Sequence, residues 1–536
     1  MMILWAGMVA LGSPDPKPAE LKGAWGDQGD GTYVNPILPG DYSDLDAIRV
    51  GSDYYAISST MQFSPGMVIL HSRDLVSWRI LGHAVEDLIR IGPEMNWDRM
   101  DRYGRGVWAG AIRYHAGRFW IYFGAPDEGI FMTTAKDAAG PWEPLHRVWQ
   151  VKGWNDTCPF WDEDGQGYLV ATNFARDPNN GKSYNIHLFK LGPDGKGLLM
   201  DSDTILHQSR GSEANKLYKI DGLYYHLFSE VKDEGRVVMM NRARSLAGPW
   251  ETRQLNHVNK GVDKEPNQGG LVQLSSGDWW FVTHQGTGDW EGRAMVLLPV
   301  TWIDGGPILG RPGDDGIGNM VWRAKKPIDG LPVVVPQTDD EFDSQTLGPQ
   351  WEWNHQPRAE KWSLTERPGF LRLYAFKPLR SHDLTTAGNT LTQRSMRTNA
   401  NEVTVKLDLR GMTDGQEAGL CHFAGSTCAL GVSQAGEVCT LTFNENGKTT
   451  AGPVVTSGAL WLRSTWDIDG DSLYSYSLDG TTFTPFGSRY RLTWGHYRGD
   501  RIGIFSYNNK GDSGYVDVDS FRYTFTRLST RSRPVW

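Results

Sequence analysis

The stretch IDGLYYHLF, residues 220–228, places a short turn directly before an aromatic run with the character of a β-strand. Four other stretches have the same form, and the first aromatics of successive stretches are 49 to 65 residues apart. Units of about fifty residues built from short strands and turns are typical of propeller blades. The sequence therefore predicts five blades, marked by IDGLYYHLF and by VGSDYYAIS (50–58), HAGRFWIYF (115–123), DGQGYLVAT (164–172) and SSGDWWFVT (275–283).

A second repeated element follows the aromatic strand in three of these units. It is a turn that ends in tryptophan: SRDLVSWRI (72–80), AKDAAGPWEP (135–144) and ARSLAGPWET (243–252). Two independent elements in the same order strengthen the assignment of residues 28–325 to a five-bladed β-propeller.

The C-terminal half has a different pattern. AKKPIDGLPVVVPQT (324–338) is a proline-rich connector, and the residues after it form short alternating strands with turns every eight to twelve residues. That spacing is typical of a β-sandwich, assigned here to residues 338–530. The predicted fold class is all-β, a five-bladed β-propeller followed by a β-sandwich.

Composition narrows the range of partners. The 536 residues carry a net charge of −9 without a basic run, which argues against nucleic acid and anionic membranes. The 23 Trp, 20 Tyr and 19 Phe suit a β-protein core and also suit stacking on sugar rings. The four cysteines, Cys158, Cys421, Cys428 and Cys439, lack the spacing of a zinc site, and one disulfide among them is left open.

The N-terminal sequence MMILWAGMVALGSPDPKP (1–18) has an apolar run of signal-peptide length but no basic start. Residues 1–27 are interpreted either as a truncated export signal, which predicts a secreted or periplasmic protein, or as an unimportant tail. No segment is long enough to span a bilayer. The sequence gives no indication of oligomeric state.

The candidate functional residues lie ten to twelve residues before the first aromatic residue of each of the five repeated strands. In a propeller the innermost strands line the central axis, so equivalent positions of different blades face one another. Crowded carboxylates raise one another's pKa, and a fold tolerates this mainly where chemistry uses it. Three acids in register by chance is the alternative. The five slots hold Asp44, Trp108, Asp156, Glu213 and the pair Asn267–Gln268.

Three converging carboxylates suit the hydrolysis of a glycosidic bond. One acid protonates the leaving oxygen, one carboxylate acts on the anomeric side, and a third can keep the acid protonated near neutral pH. Trp108 would offer a stacking face. No phosphate loop, metal-ligand spacing or Ser-His-Asp arrangement competes with this interpretation.

The motifs around these residues resemble glycoside hydrolase family 43 over nearly the whole chain. YVNPILPGDYSDLDAIRV (33–50) resembles that family's first blade, where a PDPS tetrapeptide supplies the general base; here SDLD carries the base to Asp44, with Asp46 as a nearby alternative. The other motifs imply a stacking tryptophan, an orienting and pKa-raising aspartate, a general acid and a substrate-contacting arginine. They are GVWAGAIRYHAGRFWIYF (106–123, Trp108), NDTCPFWDEDGQGYL (155–169, Asp156), GSEANKLYKIDGLYY (211–225, Glu213) and GDWEGRAMVLLPVTW (288–302, Arg293).

The resemblance carries further expectations. Its C-terminal domain is concanavalin-like, and a sandwich loop closes the funnel; FSYNNKGDSG (505–514), with Phe505 and Tyr507, is the candidate loop. Phe63 and Gln268 are further expected substrate contacts, and His284 is interpreted as a structural or polar residue. The chemistry needs no cofactor and no catalytic metal. The acidic ends DDEFD (339–343) and DVDSF (517–521) suit either a structural Ca²⁺ or solvated turns.

One motif points elsewhere and is set aside. NFARDPNNG (173–181) contains an RDP like that of retaining, fructan-cleaving propeller enzymes, but the WMNDPNG-like motif of those enzymes is absent. Asp177 is therefore interpreted as part of a solvated loop.

The predicted function is an inverting exo-glycosidase that releases terminal β-D-xylosyl residues from plant cell-wall oligosaccharides. Inversion requires a separation of about 6.5–9.5 Å between base and acid. α-L-Arabinofuranosidase activity, alone or in addition, is the alternative. A non-catalytic glycan-binding propeller is the alternative from another class.

Overall fold

The computed structural model describes residues 26–176, 183–258, 266–285 and 289–526. Asp177 and residues 1–25 of the proposed export segment lie outside these ranges. Asp27, which the sequence assigned to the tail, is instead buried and paired with Lys326 at 2.6 Å. Within the described ranges, no helix has the length and hydropathy needed to cross a membrane.

Four blades are four-stranded antiparallel sheets whose strands pair in chain order; in blade I the short strand Phe63–Ser64 lies between the second and third strands and belongs to another sheet. Blade I contains Asp46–Val50, Asp53–Ser58, Gly66–Ser72 and Trp78–Val85; blade II contains Gly110–His115, Arg118–Ala125, Gly129–Ala135 and His146–Trp149. Blade III contains Trp154–Trp161, Gly167–Arg176, Ser183–Leu191 and Leu198–Gln208; blade IV contains Glu213–Ile220, Leu223–Lys232, Gly235–Ala243 and Glu251–Gln254.

Blade V closes the propeller with a strand from the other end of the domain. Its strands Gly269–Gln273, Trp279–Gln285 and Ala294–Ile303 are completed by Leu38–Asp41, and Gly306–Leu309 extends the same sheet. The first strands of successive blades contact one another in a ring, from blade I through blade V and back. These five strands therefore surround the central axis, as the spacing of the repeats predicted.

The aromatic and β-branched runs that marked the repeats form the packing between blades. Ile57 and Ile69 of blade I pack with Ile112 and Phe123 of blade II in one fully buried cluster. Burying side chains of this kind contributes about 1.5–3 kcal/mol each. The repeated strands are thus apolar because both of their faces are covered by neighbouring blades.

The C-terminal domain is a sandwich of two antiparallel sheets. One sheet runs in the order Lys448–Val454, Val438–Glu445, Thr427–Ala435, Gln416–Phe423, Arg501–Asn508, Leu391–Arg394 and Glu352–Asn354. The other runs Trp362–Ser363, Leu371–Tyr374, Tyr515–Phe525, Ala400–Asp408, Ala459–Asp467, Asp471–Ser477 and Thr484–Pro485, with Tyr490–Arg491 also paired to Asp471–Ser477.

The two domains share a sheet and a core. The propeller strand Phe63–Ser64 pairs with Glu352–Asn354 at the edge of the first sandwich sheet. One hydrophobic cluster runs without a break from Tyr42 of the propeller to Leu391 and Ile504 of the sandwich. The sandwich therefore packs against the propeller through a shared sheet and a shared core, and is not joined to it by the connector alone.

Short elements complete the described chain. Thr32–Val34 pairs with Arg323–Lys325, and Arg311–Pro312 pairs with Gly318–Asn319. The 3-10 helices are Leu88–Arg90, Pro93–Met95, Ala359–Lys361 and Leu384–Thr386. All four cysteines are free thiols, so the disulfide left open by the sequence is not formed.

The two acidic ends considered for calcium contain carboxylates that pair with cationic side chains. Asp517 binds Arg367 and Arg372, and Glu341 pairs with Arg522 at 2.8 Å. Among the described residues, no cluster of three or more His, Cys, Asp or Glu has the arrangement of a metal site. A structural Ca²⁺ stays a prediction.

Candidate active site

Three carboxylates from three blades meet at one end of the propeller axis, here called the well. Asp44 lies two residues before the first strand of blade I, Asp156 lies within the first strand of blade III, and Glu213 begins the first strand of blade IV. Asp44 raises the pKa of both other carboxyls, and Glu213 raises that of Asp156. The register predicted from the repeats thus brings the three acids together.

Asp44 is held as a carboxylate by cationic and hydrogen-bonding partners. Arg293 places Nη1 2.6 Å from Oδ1 and Nη2 3.3 Å from Oδ2, and the Ser59 hydroxyl donates to Oδ2 at 2.5 Å. Burial alone would raise the pKa of Asp44, but Arg293 and the Ser59 hydrogen bond outweigh it, so the pKa falls below its ordinary value. Asp44 is therefore ionised and available to accept a proton.

Asp46, the alternative base, has a structural role. Its Oδ2 lies 2.6 Å from Arg113 Nη1 and accepts the backbone N–H of Ile112 at 2.9 Å. The carboxylate is completely buried between blades I and II. Of the two aspartates, Asp44 is the one that faces the well.

Asp156 links blade III to the residue next to Glu213. Its Oδ2 accepts the backbone N–H of Ala214 at 2.6 Å, and its Oδ1 accepts from Asn155 Nδ2 at 2.6 Å. Burial, followed by the negative charge of Glu213, raises the pKa of Asp156 to about 8, against the opposing effect of the Ala214 hydrogen bond. Because Asp156 and Glu213 repel each other when both are ionised, the pair retains a proton near neutral pH.

Glu213 is the most open of the three acids, with 24% of its side chain exposed. Burial raises its pKa, and the charge of Asp44 adds to this, while Arg236 and Arg293 oppose it. Arg236 Nη1 lies 3.0 Å from Glu213 Oε1 and also donates to the Gly211 carbonyl at 2.7 Å. Arg236 therefore fixes the position of Glu213 within blade IV.

The backbone at these acids is unusual. Asp44, Asp156 and Ala214 have φ of 57°, 51° and 66°, in the left-handed region that non-glycine residues seldom adopt. Such strained residues cluster at functional sites, where the surrounding structure holds them in place. At Ala214 the backbone N–H turned toward Asp156 accounts for the conformation.

An aromatic wall lines the well beside the acids. The Trp108 indole donates to the Gly104 carbonyl at 2.9 Å, which fixes its ring. Phe174 lies 6.2 Å and Tyr497 5.8 Å from the Trp108 ring, between centroids. Tyr497 comes from the sandwich and also accepts a hydrogen bond from Arg293 through its carbonyl at 3.3 Å.

The fifth blade contributes His284 and Gln268. The buried His284 accepts the backbone N–H of Asp44 at its Nδ1, 2.9 Å away, so its proton is on Nε2. Burial lowers the pKa of His284 to about 3, which keeps it neutral. Gln268 is buried, and its Nε2 has no hydrogen-bond partner among the described residues. His284 thus positions Asp44, a role that the sequence did not assign.

Two expected substrate contacts lie elsewhere. Phe63 is only 1% exposed, and the Arg501 guanidinium covers its ring at 4.1 Å, because its strand belongs to the domain interface. Tyr507 lines a 370 Å³ cavity within the sandwich, where its hydroxyl donates to Glu417 at 2.8 Å. Neither side chain has a face toward the well, and both assignments are corrected.

The sandwich segment that reaches the well is LTWGHYRGD (492–500) rather than FSYNNKGDSG. Sequence reasoning missed Tyr497 and Arg498 in this segment, as well as Ser59 and Arg236 in the propeller. The only signal was a His-Tyr-Arg run between a glycine and a Gly-Asp pair. A run of this kind becomes informative only when the domain contact is known.

The electrostatics of the well separate the acids into two kinds. Asp44 is paired with a cation and has a lowered pKa, whereas Glu213 and Asp156 have raised pKa values. Carboxyl groups whose pKa values are pushed apart can act as base and acid at the same pH. Beside a fixed indole, this arrangement suits attack of water on a sugar bond.

The sequence comparisons agree with this geometry. Residues 33–307 match the family model for glycosyl hydrolases family 43, and residues 339–524 match the β-xylosidase C-terminal concanavalin A-like domain. The chain belongs to glycoside hydrolase family 43. As a family 43 glycoside hydrolase it needs no cofactor for catalysis, and the non-catalytic glycan-binding alternative is set aside.

Relatives of two specificities match most of this chain. A β-xylosidase of Formosa agariphila is 38% identical over 94% of this chain and 92% of its own length. A non-reducing end α-L-arabinofuranosidase of Bacteroides ovatus is 33% identical over 64% of this chain and 65% of its own length. The crystal structure of a family 43 protein from Bacillus licheniformis superposes with a TM-score of 0.78 at 26% identity, covering 92% of this chain and all of that protein.

Proposed function

We propose that this glycoside hydrolase is an inverting, exo-acting β-xylosidase that releases terminal β-D-xylosyl residues from plant cell-wall xylo-oligosaccharides. The observation that carries the proposal is the pairing, in one well, of an ionised Asp44 with a Glu213 of raised pKa. The β-xylosidase of Formosa agariphila, at 38% identity, supports the choice of sugar.

In this mechanism Asp44 is the general base. It takes a proton from a water molecule, which attacks the anomeric carbon from the face opposite the leaving group. Arg293 and the Ser59 hydroxyl hold the carboxylate in one orientation, and both also stabilise its charge before the reaction begins.

Glu213 is the general acid that protonates the leaving oxygen. Asp156 shares with Glu213 the proton that the pair retains near neutral pH, and it fixes the backbone beside Glu213 through the Ala214 N–H. Trp108 would stack on the sugar ring, and Tyr497 narrows the well from the sandwich side, which favours entry of one chain end.

α-L-Arabinofuranosidase activity is the second candidate. The arabinofuranosidase of Bacteroides ovatus is 33% identical over two thirds of its length and supports it. The substrate is proposed to be an oligosaccharide in either case. Export to the periplasm or the medium is also proposed, on the apolar N-terminal sequence alone.

Activity on 4-nitrophenyl β-D-xylopyranoside and 4-nitrophenyl α-L-arabinofuranoside tests the choice of sugar. We expect the higher kcat/KM on the xyloside; a preference for the arabinofuranoside would reverse the assignment. Proton NMR of xylobiose hydrolysis tests the mechanism. The first sugar released should be α-xylose, and β-xylose as the first product would exclude inversion.

A further inference from the structure

A sandwich residue reaches the base of the propeller through a chain of hydroxyl groups. Arg498 follows Tyr497 in the segment that enters the well, and its side chain is 2% exposed. Its Nη1 donates to Ser43 Oγ at 2.7 Å and, at the longer distance of 3.4 Å, to Ser59 Oγ. Ser43 Oγ is 3.2 Å from Ser59 Oγ, which donates to Asp44 Oδ2. A cation of one domain and the carboxylate of the other are thus joined through two serines.

The direction of this chain follows from the number of protons. Ser59 has one hydroxyl proton and gives it to Asp44, so toward Ser43 it must accept. Ser43 therefore donates to Ser59 and accepts from Arg498. All the donors point from Arg498 toward Asp44, and hydrogen bonds aligned in this way strengthen one another.

Arg498 is fixed by the propeller rather than by its own domain. Its Nε lies 2.8 Å from Asp41 Oδ2, an ion pair without hydrogen-bond alignment, and the neighbouring Gly499 N–H donates to the same oxygen at 3.2 Å. A Cβ on Gly499 would lie 2.4 Å from the Glu291 carbonyl, so only glycine allows this approach. The segment is therefore seated in one position against blade V.

We infer that Arg498 is a positioning residue for the proposed base: the sandwich domain orients Asp44 and keeps it ionised through Ser43 and Ser59. The inference rests on the proposed function, in which Asp44 activates water. It gives the C-terminal domain a part in the chemistry in addition to narrowing the well.

Other titratable and charged groups around Asp44 and Arg498 determine how strongly Arg498 influences the ionisation of Asp44. The Arg293 cation and the neutral His284 imidazole face Asp44 from blade V, and Asp44 also interacts with Asp156 and Glu213. Burial lowers the pKa of Arg498 to about 10, so its side chain remains charged at neutral pH. Its charged neighbours are Asp41, Glu352, Arg394 and Arg501.

The test compares the pH dependence of kcat/KM for full-length variants on 4-nitrophenyl β-D-xylopyranoside. Arg498→Met removes the cation, so Asp44 becomes easier to protonate. We expect the acid limb, the part of the profile where kcat/KM falls at low pH, to shift to higher pH by about half to one unit. Ser43→Ala should move the limb in the same direction by less. Arg498→Lys keeps a positive charge and should shift the limb less than Arg498→Met.

Arg397→Met is the matched control. Arg397 is another sandwich arginine that binds the propeller, 2.7 Å from Glu291, but it is not part of the chain to Asp44. It should lower thermal stability and leave the acid limb in place. If Arg498→Met and Ser43→Ala lower only the stability, as Arg397→Met does, the inference is wrong.

Asp44→Asn separates failure of this inference from failure of the proposed function. If Asp44→Asn abolishes turnover while the limb of the Arg498 and Ser43 variants does not move, Asp44 remains the base and only the chain through Ser43 is rejected. If Asp44→Asn retains turnover, both are rejected. Where Arg498→Met does not fold, Ser43→Ala, which removes one oxygen atom, decides the question.

Discussion

The Asp156 carboxylate accepts the backbone N–H of Ala214, the residue after Glu213, at 2.6 Å. This hydrogen bond joins the first strands of blades III and IV at the point where the proposed acid begins its strand. Asp156 thus contributes both a charge that interacts with Glu213 and an acceptor that fixes the backbone beside it. One isosteric substitution separates these two contributions.

Asp156→Asn should keep the hydrogen bond and remove the ionisable carboxyl, because an amide oxygen can still accept the Ala214 N–H. Without a second ionisable carboxyl the pair no longer retains a shared proton and the pKa of Glu213 falls, so the basic limb of the kcat/KM profile should move to lower pH. We expect a loss of about 10²–10⁴-fold in kcat near neutral pH. Asp164→Asn, in an exposed turn of the same blade, is the control and should leave the profile unchanged. A basic limb that stays in place would contradict the role of Asp156.

Glu213→Gln should have an effect that depends on the leaving group. An activated aryl group leaves with little protonation, whereas the sugar of xylobiose needs the acid. We expect kcat/KM to fall far more on xylobiose than on 4-nitrophenyl β-D-xylopyranoside. Asp44→Asn should reduce both by similar factors, because every substrate needs the attacking water. Equal losses on the two substrates for Glu213→Gln would argue against Glu213 as the acid.

Asp46→Asn should affect stability rather than chemistry. Arg113 would lose its carboxylate partner in a buried site, at a cost of about 3–5 kcal/mol in the free energy of unfolding. Denaturant unfolding measures that loss, and kcat measured well below the unfolding transition should stay close to that of the wild type. A loss of turnover in the folded variant as large as that of Asp44→Asn would restore Asp46 as a candidate base.

The sequence predicted those features that repeat along the chain. Five aromatic strands at similar spacing fixed the blades, and counting back from each located Asp44, Asp156 and Glu213, because equivalent positions in a propeller face the same axis. The family resemblance added Arg293, which the structure places on Asp44.

Contacts that depend on how the two domains meet were not predictable. Phe63 and Tyr507 are aromatic residues of plausible type, but packing against Arg501 and Glu417 turns them away from the well. Tyr497 reaches the well only because Arg498 is bound by Asp41 of the propeller. Such a contact joins residues more than 450 positions apart, and no local pattern in the sequence encodes it.

Tyr497→Ala should weaken substrate binding without loss of stability. The side chain is 56% exposed and meets the Trp108 ring edge to face, so removing it opens one wall of the well. The carbonyl that binds Arg293 belongs to the backbone and is retained. We expect KM for xylobiose to rise roughly tenfold, equivalent to about 1.4 kcal/mol, with the melting temperature within about 2 °C of the wild type.

Two further variants sharpen this experiment. Tyr497→Phe keeps the ring and should keep a KM close to that of the wild type, which assigns the effect to the aromatic face. Tyr114→Ala removes an exposed tyrosine from a blade II strand and should leave KM unchanged. An unchanged KM for Tyr497→Ala would mean that the sandwich segment does not contribute its ring to substrate binding, and the narrowing of the well would then depend on Trp108 and Phe174.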